Sequence, residues 1–413
     1  MLKIAIVHDW LTGMRGGEKC LEVFCELFPR ATLLALVHRK GALSPAIESM
    51  EIRTSFIQKL PGALTLHQRY LPLFPRAIES LDLSEFDFVL STSHCVAKGA
   101  IPRHDATHVC YCHTPMRYVW DFYDDYFRGP SAGLGARMVM PFAAPWLRRW
   151  DVRTSSRVDH FVANSRNVAE RIRRLYDRDA HVIYPPVDTE RFAPREHSDP
   201  NGRGRRAETD SARSESHTGA RAAASNGQQY YLVVSKLVPY KHVEIAVQAA
   251  NVLELPLRVI GDGPERARLE AIAGSSITFE GWVDDATLAK AYRGARALLF
   301  PGIEDFGIVP LEAQACGTPV IAFGAGGSLE TVRDGETGVL FTPQSSAALV
   351  KAIQRADTLD LDPAAARVWA CRFSRERFRE EIRAYLAPFV GADAMATAPA
   401  RRAEPANLAG ATS

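Results

Sequence analysis

Residues 301–327, PGIEDFGIVPLEAQACGTPVIAFGAGG, carry two carboxylates eight positions apart, Glu304 and Glu312, with Phe306, Gly307 and Pro310 between them and a glycine-rich run behind. The preceding ARALLFPG is a short apolar run that reads as a strand ending near Pro301, which puts Glu304, Asp305, Phe306 and Gly307 on the loop at its carboxyl edge. Pro310 suits the first position of a helix, where a missing amide hydrogen costs nothing, so Glu312 falls in that helix's first turn. The first amides of a helix have no partner within it, and those around Gly307 to Leu311 therefore point outward together toward phosphate oxygens. A carboxylate at either end of such a cradle accepts hydroxyl hydrogens. The chemistry this spacing serves is the grip of a phosphorylated ligand with hydroxyls on both sides, as in a nucleotide sugar.

Elements able to position that segment recur along the whole chain. KIAIVHD, ATLLALVH, DFVLSTS, THVCYCH, HFVANS and HVIYPPVD read as strands, EKCLEVFCELF as an amphipathic helix, and the alternation predicts a parallel sheet covered by helices. In HDWLTGMRGGEK the first strand is followed by Gly13, Gly16 and Gly17 and a helix opening at Glu18, where bare backbone can approach a diphosphate. His8, Asp9, Trp10 and His94 fall at strand ends beside the same edge. The pattern breaks over 195–229, which is rich in Arg, Ser, Gly, Asp and Glu and cannot build a core, then restarts with YYLVVSK, LRVIGDG, ITFEGWV, ALLFPG and PVIAF separated by helical stretches. The expected organisation is a Rossmann-like domain over 1–194, a disordered polar insertion over 195–229, a second Rossmann-like domain over 230–370, a helix over 371–390 that can pack back on the first domain, and a disordered tail over 391–413. Ligands of open parallel sheets bind outside the carboxyl ends of the strands, so the site is expected in the cleft between the two domains.

Composition bounds the alternatives. A length of 413 residues suits two cores, and 46% hydrophobic with 24% charged residues is ordinary for a globular enzyme. Fifty Lys and Arg against 48 Asp and Glu give a formal charge of +2, which offers no global reason to expect nucleic acid. No run reaches the length of a spanning helix, and the start MLKIAIVHDW lacks the features of a secretory signal, so a cytoplasmic enzyme is expected. Seven cysteines without a CxxC pair read as reduced, buried thiols rather than zinc ligands or disulfides, with Cys110 and Cys112 on one strand face.

Glu304 and Glu312 with Phe306 and Gly307 resemble the E-x-F-G-x4-E motif of the large retaining glycosyltransferase family 4, whose fold is GT-B, two doubly wound α/β domains facing each other across a cleft. VVSKLVPYKHVEIAVQA resembles that family's phosphate-binding loop, which implies that Lys236 and Lys241 grip the donor diphosphate; the family more often has arginine at the first, so Lys236 exchanges a planar fork for a point charge. The resemblance further implies that Glu304 holds donor-sugar hydroxyls near the reacting carbon and Glu312 the ribose hydroxyls. The amides of Phe306, Gly307, Ile308 and Val309 meet sugar and phosphate, Trp282 and Val283 line the base, Gly16 and Gly17 approach the diphosphate, and His113 faces the transferred sugar. YCHTPMRYVWDFY and VANSRNVAERI are similar to the subgroup containing mannosyltransferases of bacterial surface polysaccharides, which implies mannose from GDP-mannose and a glycan or polyprenyl-diphosphate-linked acceptor. No metal or other cofactor is implied: cations and helix amides oppose the charge of the leaving phosphate, and Asp360-Leu361-Asp362 lies away from the cleft loops.

Three rival functions share all or part of this architecture. An NAD-dependent oxidoreductase is disfavoured because GDGPER and GMRGGEK both miss the dinucleotide fingerprint. A sugar-nucleotide epimerase of the same architecture and a catalytically silent sugar-nucleotide-binding protein stay open. Separately, RMVMPFAAPWLRRWDVRTSSR, 137–157, mixes arginines with Met, Phe and Trp, and reads either as a helix-packing surface or as peripheral contact with the cytoplasmic face of the inner membrane.

Overall fold

The computed structural model describes residues 2–128, 134–194 and 230–396. The polar insertion expected over 195–229 and the part of the tail beyond 396 lie outside the described residues. The first domain is a seven-stranded parallel sheet of β1 (Ile4–His8), β2 (Thr32–Ala35), β3 (Glu51–Thr54), β4 (Phe88–Ser93), β5 (Thr107–Cys112), β6 (His160–Ala163) and β7 (Ala180–Val182), in the order β3-β2-β1-β4-β5-β6-β7. The strand order reverses between β1 and β4, which pair in register from Ile4 opposite Phe88 to His8 opposite Thr92. All five residues of β1 are buried, as a strand covered on both faces by crossover helices requires.

The second domain repeats the plan with β8 (Tyr230–Val234), β9 (Leu257–Ile260), β10 (Ile277–Gly281), β11 (Ala295–Phe300), β12 (Val320–Phe323) and β13 (Gly338–Phe341), ordered β10-β9-β8-β11-β12-β13, and reverses between β8 and β11. Strands β3 and β13 were not expected from the sequence. Both are four-residue edge strands, EIRT with two exposed charged residues and GVLF opening on glycine, and neither shows the apolar run that marks the central strands.

The helices follow from the spacing of apolar residues. Helix α1 (Gly16–Leu27) buries Cys20, Leu21, Phe24 and Leu27 on one stripe, and it opens at Gly16, two residues before the expected Glu18. Helices α2 (Leu134–Thr154) and α3 (Arg166–Tyr176) complete the first domain's cover; Ser165 caps α3 by accepting from the Val168 amide at 3.0 Å. In the second domain α4 (Val243–Leu253) follows β8, α5 (Ile308–Ala315) follows β11, and α6 (Pro363–Cys371) packs on α5. Helix α7 (Arg375–Val390) crosses to the first domain, where Phe378, Ile382, Leu386 and Val390 join the core around Ile6, Phe24 and Tyr111. Arg375 and Arg379 bind Glu26 of α1 at 2.7 and 3.3 Å. The tail expected from 391 does not begin there: Met395 is 3% exposed, and the Ala396 amide donates to the Leu27 carbonyl at 2.9 Å. All seven cysteines are free, and six are buried.

Candidate active site

Both points of strand-order reversal open toward the space between the domains, and the charged residues singled out in the sequence lie on the loops that leave them. From the second domain, Lys236 follows β8, Lys241 closes the turn before α4, and Glu304 follows β11. The Lys241 ammonium and the Glu304 carboxylate are in direct contact. Burial, with Arg117 and Lys236 adding to it, pushes the Lys241 amine down to about 7, Asp305 opposing; the touching Glu304 carboxylate also favours the charged amine. Lys236 is exposed, and its pKa is lowered by burial of its stem and by Arg15 across the cleft.

Bare backbone brings these two loops together. A Cβ on Gly302 would come within 2.8 Å of the Lys241 carbonyl oxygen, so only glycine lets the Glu304 loop lie against the Lys241 turn. On the other side, the Gly327 amide donates to the Glu304 carbonyl at 2.9 Å, and a Cβ on Gly327 would overlap the Phe306 backbone at 2.1 Å. The glycine-rich run thus pins the Glu304 loop. Gly307, at φ +94°, is the left-handed residue that turns this loop into α5. Helix α5 begins at Ile308, so Pro310 is its third residue rather than its first, still among the positions with no intrahelical amide bond to lose.

Glu312 lies one helical turn deeper, 5% exposed. Its Oε1 accepts from Lys19 Nζ of α1 at 2.9 Å, and its Oε2 from the Tyr292 hydroxyl at 3.1 Å. Burial, then Glu312 itself, raises the Tyr292 pKa well above the usual phenol value, so that hydroxyl stays a donor. Lys19 was missed in the sequence; its signal was its place one turn after Gly16 on the face that opens to the cleft.

The first domain supplies the opposite wall. A Cβ on Gly16 would sit 3.0 Å from Ile308 Cδ1 of the second domain, so this glycine lets α1 lie close against the start of α5, and a Cβ on Gly17 would sit 3.5 Å from His113 Nε2 within the first domain. His113, just after β5, shares a hydrogen bond with Thr92 Oγ1 at 2.8 Å; burial, then His94 and His8, holds its pKa well below the usual range, leaving the ring neutral. Asp9 has a structural task. Its carboxylate accepts the consecutive amides of His94, Cys95, Val96 and Ala97 at 2.6 to 2.9 Å and fixes the loop after β4. Burial would raise its pKa, but contact with His94 and nearby His8 outweighs that and holds it well below the usual carboxylate range.

Asp305, beside Glu304, was not singled out, yet it is the most heavily bonded residue of the interface. Its carboxylate contacts the guanidinium groups of Arg117 and Arg171 and lies 3.3 Å from Thr114 Oγ1, while its carbonyl accepts from Ser165 Oγ at 2.6 Å. Nearby, Glu330 accepts the first two amides of α3, those of Arg166 and Asn167, at 2.9 and 3.0 Å. Phe306 is 3% exposed and its ring stacks on Tyr184 at 5.5 Å, so its backbone rather than its ring is available to a ligand. Ile308 and Val309 are half-buried at the start of α5. Trp282 and Val283 follow β10, two strands out from the β8–β11 reversal, and Trp282 is 82% exposed. Asp362 of the Asp-Leu-Asp triplet caps α6 by accepting from Ala364 at 2.8 Å. Among the described residues no group of three or more His, Cys, Asp or Glu is placed to hold a metal ion.

Residues 32–191 match the family model for Glycosyltransferase Family 4, and residues 219–367 match that for Glycosyl transferases group 1. A D-inositol 3-phosphate glycosyltransferase of Geodermatophilus obscurus is 31% identical over 277 residues, 60% of this chain and 56% of the relative. One of Thermomonospora curvata is 33% identical over 205 residues, 44% of this chain and 45% of the relative. The chain thus spans about half the length of the curated relatives it matches. Among solved structures, the sucrose-phosphate synthase of Thermosynechococcus elongatus aligns with a TM-score of 0.63 at 19% identity, covering 94% of this chain and 99% of that one. Anabaena HepE in complex with UDP-glucose aligns at 0.61 with 17% identity, covering 93% and 99%. At these identities the likeness shows the fold, which is GT-B.

Proposed function

This chain belongs to glycosyltransferase family 4, and from that premise we propose that it transfers a hexose from a nucleotide diphosphate sugar to a glycan or lipid-linked acceptor with retention of configuration. The observation that carries the reading is the meeting of Lys241 and Glu304, from the two loops at the second domain's reversal point, opposite Gly16, Gly17 and His113 at the first domain's. Breaking the bond between the anomeric carbon and the diphosphate leaves negative charge on phosphate and positive charge on the sugar. Lys236, Lys241 and the first amides of α5 oppose the former; Glu304 and the neutral imidazole of His113 hold sugar hydroxyls and favour the latter. As the acceptor oxygen bonds to the anomeric carbon, its proton passes to the departing phosphate oxygen, so no strongly basic side chain is needed.

For the donor, the reading is GDP-mannose, supported by the YCHTPMRYVWDFY and VANSRNVAERI stretches. HepE was solved with UDP-glucose, which makes uridine sugars the natural comparison. Thermal shift against GDP-mannose, UDP-glucose, UDP-N-acetylglucosamine and ADP-glucose tests it, since a ligand at about 100 times its Kd adds about 2.7 kcal/mol. GDP-mannose should stabilise most. Stabilisation by a uridine sugar instead would overturn the mannose assignment, and no stabilisation by any of the four would overturn the donor site itself.

A further inference from the structure

We propose that the outward face of α2 docks on an anionic phospholipid surface. Met138, Val139, Phe142 and Trp146 on this helix are 69, 50, 84 and 45% exposed. Positions 138, 142 and 146 recur every four residues and so form one stripe along the helix. The other side of the same helix is conventional core: Met140, Ala144, Leu147 and Trp150 are buried against Phe74, Val96 and Val119. The exposed stripe is therefore surplus to folding, and a contiguous apolar ridge of this kind on a globular domain marks a surface that meets something apolar.

The charge on the helix says what that is. Arg149 and Arg153 continue the stripe at its carboxyl end, and both are exposed. The one acid between 134 and 154, Asp151, is fully buried and committed to Lys98 Nζ at 3.1 Å, Trp120 Nε1 at 2.8 Å and the Tyr176 hydroxyl at 2.8 Å. The face thus offers aromatic and thioether groups beside cations; Asp121 and Asp124, which border it in a pocket lined also by Pro141, Pro145 and Arg148, are paired with Arg171 and Arg174 and with Arg128 respectively. A bilayer takes Phe, Trp and Met at the boundary of headgroups and acyl chains while its anionic headgroups pair with arginine; protein interfaces favour the same residue types, which is why a second copy of the chain is an outcome of the test below. The helix is also tied to the wall of the cleft: Arg148 Nε donates to the Val119 carbonyl at 2.5 Å, and Trp120 to Asp151, both on the segment that leaves His113. Docking through α2 brings the first domain's side of the cleft to the membrane, where a lipid-linked acceptor would enter.

The full chain is sedimented with vesicles of phosphatidylcholine alone and of phosphatidylcholine with phosphatidylglycerol. Binding to the anionic vesicles only is expected, and the Phe142→Ser, Trp146→Ser double variant should bind about tenfold more weakly or worse, because both apolar anchors are lost. Arg149→Gln with Arg153→Gln should weaken binding and remove most of its dependence on salt between about 0.1 and 1 M, where the Debye length falls from about 10 to 3 Å. All four side chains are exposed, so unchanged melting temperature and nucleotide binding certify the variants as folded. Failure of the unaltered chain to bind anionic vesicles overturns the proposal. So does undiminished binding by the Phe142, Trp146 variant, or light scattering that shows that variant converting a dimer to a monomer, which would assign the ridge to a second copy of the chain.

Discussion

Glu304 and Glu312 sit on one short segment, yet their surroundings differ in kind. Glu304 keeps its partner, Lys241, within the second domain, so that pair persists however far the cleft opens. Glu312 shares one bond with Tyr292 of its own domain and the other with Lys19 of the opposite domain, so half of its environment depends on closure. Between them Asp305 reaches across to Arg117 and Arg171. The Glu304 end of the segment is thus preset by its own domain, while the Glu312 end is finished by the other. Such a division suits an enzyme that binds its donor on one domain and commits to chemistry only when both meet.

The largest effect is expected where the crossing is most buried. Asp305→Ala strips a buried carboxylate from Arg117 and Arg171 and should lower stability by about 3 kcal/mol, read as a shift in the denaturant midpoint; a loss under about 0.5 kcal/mol would show that the interface does not rely on this hub. Next comes Glu304→Gln. On the proposed placement beside the donor sugar its interaction strengthens as charge develops, so kcat should fall by a factor on the order of 10 to 150, equivalent to about 1.5 to 3 kcal/mol, with donor KM little changed. Glu312→Gln should instead raise donor KM about tenfold and leave kcat nearly alone, because the ribose proposed to sit at Glu312 is unchanged through the reaction. Identical kinetic patterns for the two glutamine variants would break the comparison outright.

Smaller effects sharpen it. Lys19→Met leaves Glu312 buried with Tyr292 alone, and donor KM should move only about two- to fivefold; combined with Glu312→Gln it should add little, since the two residues act through one contact. Full additivity in that cycle would mean that Lys19 serves another role. The pH dependence should be centred on Lys241, whose amine lies at about 7. On the proposed role of Lys241, the ammonium grips the diphosphate below that value and the neutral amine does not above it, so nucleoside diphosphate affinity should fall as pH rises past about 7, by at most about tenfold per unit. Calorimetry in buffers of different ionisation heat should show proton uptake on binding, and Lys241→Met should abolish both the uptake and the slope.

Much of the fold was legible because central strands of parallel sheets are buried on both faces and announce themselves as apolar runs; β1 and β11 are the clearest. The edge strands β3 and β13 were not, since EIRT and GVLF carry too little of that signal. That Glu304 and Glu312 share one strand–loop–helix segment was legible through local spacing, while Lys236 and Lys241 were singled out through the family resemblance. Their working partners were not. Nothing in HDWLTGMRGGEK says that Lys19 meets a carboxylate 293 residues away, and Asp305 looks like one more loop acid until Arg117 and Arg171 close on it.

The sequence by itself determined that two doubly wound units exist and which loop carries the paired acids, because periodicity, proline, glycine and charge spacing act over a few residues. Only the tertiary structure decided that Asp9 is spent on four backbone amides, that glycine 302 and glycine 327 serve backbone packing rather than ligand approach, and that one face of α2 is left uncovered. These depend on how distant surfaces meet, and a contact between groups hundreds of residues apart leaves no pattern in either stretch of chain.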